Sequence, residues 1–213
     1  MPQLTVTVDG KSMTTEGSLV KDAIRDKRAV AARVDGVLVD LSAPLAEGQT
    51  IETIDADSAE GLHIIRHSAA HLMAEAVKLL FPDARPTIGP ATEDGFYYDF
   101  DRDASFSAED LEKIEQKMEE LTKENKPFIC KELSRNEAIG FFKEKGEPYK
   151  VEIINDLDSE VSSVTTYEQG SFVDLCRGPH VPATGSLKAF KLLSVAGAYW
   201  RGDEKNHQMQ RIY

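Results

Sequence analysis

Two short words in the sequence carry residues able to do chemistry: His67-Ser68-Ala69-Ala70-His71 and Cys176-Arg177-Gly178-Pro179-His180. Imidazoles four residues apart share one face of a helix, where they can converge on a metal, a water or a substrate. Alone, the first word also describes the wet side of any amphipathic helix. The second adds a thiol and a third imidazole, on a segment that Gly178 and Pro179 mark as a turn. Three nitrogens and one sulfur have the donor types and spacing of a tetrahedral zinc site. Without metal, the same groups can hold a water and take its proton. A covalent thioester on Cys176 has no further support in the sequence.

The elements that must position these groups follow from periodicity. A helix is expected from about His63 to Phe81, ended by Pro82. On it Ala69, Leu72, Met73, Ala76, Leu79 and Leu80 share one side, while His67, His71 and Lys78 fall on the other. Gly95 to Phe100, dense in aromatics, reads as a strand in which one of Tyr97 and Tyr98 packs inward. Ser107 and Asp110 form a capping-box pair ahead of a helix with Leu111, Ile114, Met118 and Leu121 on one face. Asn136 to Gly146 reads as a shorter helix, Lys150 to Ile154 as a strand, and Gly170 to Leu175 as a strand ending at Cys176. Leu187 to Val195 and Gly197 to Gly202 read as sheet and turn.

Ahead of that segment, Leu4, Val6 and Val8 alternate with threonines, and Asp9-Gly10 turns the chain into Lys11 to Thr15, a hairpin. A short helix capped by Ser18 is expected next, with Leu19 and Ile24 among its apolar positions and Arg25, Lys27 and Arg28 near its end. Ala32 and Val34 lead through Asp35-Gly36 to Val37–Leu41, and Thr50 to Ile54 forms a last strand. That order suggests a β-grasp, ubiquitin-like module. Asp55 to Gly61 reads as the linker.

With 41% hydrophobic and 29% charged residues, the 213-residue chain has the composition of a globular protein, and no stretch is apolar enough to span a bilayer. Its first residues lack the pattern of a secretory signal, so a cytoplasmic location is expected. Cys130 and Cys176 give no disulfide framework, and Cys130 is assigned to packing. The net charge of −12 argues against a surface that grips nucleic acid unaided. His63 and His207 have no partners in sequence, and Trp200 reads as core.

The paired words resemble the editing domains of threonyl- and alanyl-tRNA synthetases. The surrounding sequence, with Ile88-Gly89-Pro90, Asp94-Gly-Phe-Tyr-Tyr-Asp99, Asp174-Leu-Cys-Arg-Gly-Pro-His180-Val-Pro182 and Ala196-Gly-Ala-Tyr-Trp-Arg-Gly-Asp203, is similar to the bacterial-type threonyl-tRNA synthetases along the whole chain. The resemblance implies an α+β fold: a β-grasp TGS domain over residues 1–60, then an editing domain over 61–213 with helices packed on a mainly antiparallel sheet. Aminoacylation and anticodon-binding domains are expected after Tyr213. It further implies hydrolysis of mischarged seryl-tRNA(Thr) at the terminal adenosine. A second site is needed because one missing methyl group gives only about 1–3 kcal/mol of discrimination.

Residue by residue, the resemblance carries over His67, Lys150, Cys176 and His180 as catalytic. His71, Tyr98, Asp174 and Gly89 carry over as substrate-binding. Within this set His67 holds the terminal ribose or orients the ester, Lys150 and His180 position or activate water, Asp174 meets the amino group, and Tyr98 walls the serine pocket. Apart from the family, Lys150 reads as an exposed strand residue and Asp174 as a turn cap. Editing is expected to need no metal, although zinc at His67, His71, Cys176 and His180 is an alternative. The expected partners are the serine-bearing 3′ end of tRNA(Thr) and the rest of the synthetase, with the 213-residue chain a monomer and the full enzyme a homodimer. Competing readings are a free-standing trans-editing protein and a non-catalytic, zinc-stabilised RNA- or ligand-binding module.

Overall fold

The computed structural model describes residues 3–213. Strands β1 (Leu4–Val8) and β2 (Lys11–Thr15) pair in full antiparallel register, from Leu4↔Thr15 to Val8↔Lys11. Asp9 and Gly10 both take positive φ, at 48° and 77°, as a tight two-residue hairpin requires. A single helical turn, α1 (Val20–Ala23), precedes β3 (Ala29–Val34), β4 (Val37–Val39) and β5 (Thr50–Asp55). The last strand inserts parallel to β1 and antiparallel to β3, giving a mixed sheet of order β2-β1-β5-β3-β4.

Two expectations about α1 are corrected. Its cap is Leu19, whose N–H bonds the Asp22 carboxylate at 3.0 Å, and Ser18 instead lends its carbonyl to Leu45 N–H. The turn stops at Ala23 because Ile24 is already extended, so Arg25, Lys27 and Arg28 lie beyond it. Arg28 meets Asp26, Asp55 and Asp57.

Helix α2 (Ala59–Leu80) starts four residues earlier than periodicity indicated, with the Ser58 hydroxyl accepting Gly61 N–H at 3.0 Å. The linker therefore shrinks to residues 56–58. Gly61 lies inside the helix, and its backbone passes so close to the Asp55 carbonyl that a Cβ there would overlap it.

Ala69, Leu72, Met73 and Ala76 are buried as expected, but Leu79 is 47% exposed. The opposite face is not wet. His71 is only 2% exposed, because strands from later in the chain cover it.

Next come β6 (Arg85–Pro86), β7 (Tyr98–Asp101) and α3 (Ala108–Glu124), the last with the Ser107/Asp110 capping box. Then follow β8 (Ile129–Ser134), α4 (Arg135–Glu144), α5 (Pro148–Asn155), β9 (Ser163–Gln169), β10 (Phe172–Leu175), β11 (Val195–Tyr199) and β12 (Gln208–Ile212). They form two antiparallel sheets, β10-β9-β8 and β11-β12-β7-β6, rather than one. The class is α+β.

The strand expected over Lys150 to Ile154 is helix α5. Its β-branched residues suggested a strand, but Pro148 at the first helical position starts a helix with its fixed φ. Cys130, expected to pack, is exposed, because β8 is an edge strand with nearly every side chain facing out. The aromatic strand begins only at Tyr98, and of Leu187 to Val195 only Val195 joins a ladder. Trp200 is 7% exposed and donates to Glu152, as a core indole should. No helix among the described residues is long and apolar enough to cross a membrane.

The main core cluster joins the first sheet to α2 and α3. Val30, Ala31 and Ile54 of the first sheet join Ile64, Leu72, Met73 and Val77 of α2 and Ile114 and Met118 of α3. The four residues Ala29 to Ala32 are all buried, since β3 has α2 on one face and the smaller cluster of Val6, Val20 and Ile51 on the other.

Candidate active site

Helix α2 supplies His67, Ser68 and His71, and the turn after β10 supplies Cys176 and His180. The Cys176 sulfur lies 3.0 Å from His67 Nε2 and 3.4 Å from His180 Nε2, and accepts Gly178 N–H at 3.2 Å. The His71 ring completes the group, with its centroid 4.9 Å from that of His67 and 4.2 Å from that of His180. One ligand atom from each of the four residues lies within 4.8 Å of all the others.

The imidazole of His180 is fixed on several sides. It stacks between Phe128, with centroids 4.8 Å apart, and His67, 4.6 Å away. Ser68 Oγ donates to the Ile64 carbonyl at 2.8 Å and accepts Val181 N–H at 3.1 Å. With its proton committed, Ser68 meets His180 Nδ1 at 3.0 Å as an acceptor. Nδ1 therefore carries the hydrogen, and the lone pair of Nε2 faces the thiol. Ser68 was not singled out from sequence. A serine in mid-helix that bonds the carbonyl four residues back is the signal that would have found it.

Beneath the histidines lies a buried charged network. Lys150, in the first turn of α5, donates to Thr87 O at 2.8 Å and Tyr98 Oη at 3.0 Å and pairs with Asp174. Tyr98 Oη donates to Asp174 Oδ2 at 2.5 Å, and the same oxygen is 3.6 Å from His71 Nε2. Lys150, Asp174 and Tyr98 are 3%, 2% and 0% exposed, so the exposed-strand reading of Lys150 fails. Asp174 alternates inward with Phe172 on β10. The Lys150 ammonium thus has two hydrogen-bond acceptors and a carboxylate beside it.

Gly89 backs this network. A Cβ at position 89 would overlap the Tyr98 ring, so only glycine lets the 88–90 segment lie against it. Tyr97, the other half of the pair, turns outward beneath the Arg211 guanidinium, 3.8 Å from its ring centre.

Burial sets the protonation states. It holds His71 and His180 well below the ordinary imidazole value, and the neighbouring imidazoles push the same way. His67 is lowered too, chiefly by burial, against a pull from the Asp174 carboxylate. Burial pushes the Cys176 thiol up to about 12 and raises Tyr98 well above the usual phenol range, with Asp174 contributing. At neutral pH the site thus presents three neutral imidazoles and a protonated thiol over a Lys–Asp pair.

His67 and Cys176 are its partly exposed members. Each opens on a cavity: about 410 Å³ beside His67, Ala91 and Leu38, and about 340 Å³ beside Cys176, Arg177 and Leu157. His63 lines the first of these, whereas His207 lies elsewhere, paired with Asp101. A further depression of about 500 Å³, bordered by Glu75, Glu124 and Glu168, is lined by none of these site residues.

Such a cluster can hold a water against two nitrogen lone pairs, or a soft divalent metal through its N₃S donor set. All eight residues singled out from sequence converge, Gly89 by supporting Tyr98. Ser68, Thr87, Tyr167 and Asp40 complete the surroundings, and the last two have no local signal at all.

Residues 164–213 match the family described as the threonyl and alanyl tRNA synthetase second additional domain. The chain is 60% identical over 187 residues, 88% of its length, to the threonine–tRNA ligase of Pelobacter propionicus, of which this is 29%. It is 58% identical over the same share to that of a Geobacter strain. With the ligase of Nitratidesulfovibrio vulgaris strain Miyazaki F the identity is 49% across 99% of the chain and 34% of the relative. Sequence kinship with the threonyl-tRNA synthetases runs through nearly the whole chain, which spans about a third of the length of the curated relatives it matches.

Proposed function

We infer, from kinship with the threonyl-tRNA synthetases, that this chain is their proofreading portion and hydrolyses serine from mischarged seryl-tRNA(Thr). The reading divides it into a β-grasp, TGS-type module over residues 1–60 and an editing unit over 61–213, working in the cytoplasm beside the aminoacylation and anticodon-binding parts of a longer enzyme. The observation that carries it is the packing of two neutral imidazole Nε2 atoms and a thiol within 3.0–3.4 Å above a buried Lys150–Asp174–Tyr98 network.

The ester linkage at the terminal adenosine enters over His67 and Cys176. His67 holds the ribose. A water held near His180 gives a proton to Nε2 as its oxygen attacks the ester carbonyl. The carbon–oxygen bond to the ribose then breaks, and the proton passes to the departing ribose oxygen, leaving free serine. Lys150 offsets the negative charge that develops on the carbonyl oxygen. Cys176 lines the pocket as a neutral polar group. Asp174 and His71 meet the serine amino group, and Tyr98 serves as the pocket wall that turns away the extra methyl of threonine.

A second reading rests on His71 Nδ1, a buried nitrogen with no partner, within a cluster of four donors. Zinc would use His67, His71, Cys176 and His180, and a closed tetrahedral site would make the unit a stabilised binding module rather than a hydrolase.

The deciding experiment follows release of radiolabelled serine from preformed seryl-tRNA(Thr), with threonyl-tRNA(Thr) as control, before and after chelation. Release of serine alone that persists after chelation supports the editing reading. No release even with the rest of a synthetase restored, together with one tightly held zinc per chain, favours the module. Equal activity with and without the remaining synthetase would instead point to a free-standing trans-editing protein.

A further inference from the structure

The chain's first sheet reaches into the site through one side chain. Asp40 follows β4, in a segment tied down by its own carbonyl, which accepts Ala43 N–H at 3.0 Å, and by Leu41 O, which accepts Lys21 N–H at 2.8 Å. Its Oδ1 accepts the backbone N–H of His180 at 2.8 Å, across 140 residues of sequence. Its Oδ2 accepts the Tyr167 hydroxyl at 2.6 Å. The Tyr167 ring in turn stands edge-on to the His180 imidazole, with centroids 4.5 Å apart.

Gly178 is threaded past the same tyrosine. Its φ is +65°, and a Cβ there would overlap the Tyr167 hydroxyl. Consecutive amides of the turn are thus held from two directions: His180 N–H by Asp40 and Val181 N–H by Ser68. Leu38, two residues before Asp40, forms part of the wall of the cavity beside His67. Both side-chain oxygens of this half-buried acid thus bond groups of the larger unit.

We propose that Asp40 is a positioning residue for the site. It locks the Cys176–His180 turn so that His180 Nε2 stays aimed at Cys176 and the space beside His67, and it makes the first sheet a working part of the hydrolytic unit. Its kinetic consequence rests on the editing reading; its structural consequence does not. Asp40 does not touch substrate. Removing it leaves the His180 N–H buried without an acceptor and frees Tyr167, and the turn relaxes away from α2.

The test uses the 213-residue chain with Asp40→Ala, Asp40→Asn and Tyr167→Phe, and three readouts: serine release resolved into kcat and KM, the NMR signals of the His180 ring, and thermal unfolding. For Asp40→Ala, kcat should fall about ten- to a hundredfold, the usual size for a lost hydrogen bond to a charged group, with KM within about twofold and the His180 signals displaced. Asp40→Asn keeps an oxygen for His180 N–H and should restore most of kcat and the native ring signals. Tyr167→Phe should give a partial loss, and it and Asp40→Asn test the proposal even where the alanine variant unfolds.

Unchanged kcat and unchanged ring signals in Asp40→Ala would overturn the proposal. So would a loss of activity that only tracks lost folded protein, with His180 signals native in the folded fraction. If wild type releases no serine, the editing reading fails while the ring signals still decide whether Asp40 holds His180.

Discussion

The sheet of residues 4–55 and the cluster beneath α2 follow opposite rules of construction. The small core of the sheet is aliphatic, with Val6, Val20, Ile51 and their neighbours, and its one fully buried polar side chain is Thr15. Beyond residue 67 the interior holds His71, Glu75, Asp99, Glu147, Lys150, Asp174 and His180. The first arrangement gains stability from area removed from water. The second places charges where water would otherwise compete for them, and its stability depends on every partner being present. A core made only of aliphatic contacts tolerates the loss of one; a buried array of ionisable groups does not.

That contrast can be broken most forcefully at Lys150. Lys150→Met leaves Asp174 buried without its counter-charge, and should cost about 3–5 kcal/mol, or roughly 10 °C in thermal midpoint, together with nearly all serine release. A midpoint within a degree of wild type would show that the network is not held by its charges.

On the apolar side, Ile51→Ala should cost about 2–4 kcal/mol through transfer and cavity terms. Denaturant titration would measure it, and serine release per folded molecule should be unchanged. A kcat that fell with it would mean that the apolar packing around Ile51 also reaches the cluster beneath α2.

Acid separates them next. His67, His71 and His180 have native values below that of an unfolded histidine, near 6.5. Above that pH neither state takes up the proton and stability is flat. Below it the unfolded chain binds protons that the native imidazoles refuse, so stability falls with pH, by about 1–2 kcal/mol between pH 7.5 and 6. All five histidines lie after residue 62, so no histidine of the first sheet contributes to this loss. Urea titrations at the two pH values would register it, and His180→Gln should flatten the difference. Glu75 and Glu147, raised by burial, act in the opposite sense at lower pH.

The smallest effect is expected at Lys113, which is exposed and pairs with Glu109 one turn away. Lys113→Ala should leave the thermal midpoint unchanged, because exposed pairs of this kind are screened.

Much of this was legible in the residues. The Asp9-Gly10 and Asp35-Gly36 turns, the Ser107 capping box and the two chemical words rest on local spacing, and local spacing needs no tertiary context. Lys150 was placed in a strand because Val151, Ile153 and Ile154 are β-branched, while Pro148 two residues earlier carried the opposite signal and prevailed. The solvent-facing edge strand β8 shows no alternation, so neither it nor the exposure of Cys130 could be read. Asp40 and Tyr167 lie 127 residues apart and meet only once the sheets are stacked. The covering of the polar face of α2 has no local signal for the same reason: its covering strands come about a hundred residues later.

Val30, Ala31 and Ile54 share one cluster with α2 and α3, and this bears on how the molecule comes apart. Neither part can melt without stripping the other of its packing partner. Unfolding should therefore be a single cooperative event, with calorimetric and van't Hoff enthalpies in agreement, although the chain is built from parts that look as if they could fold alone.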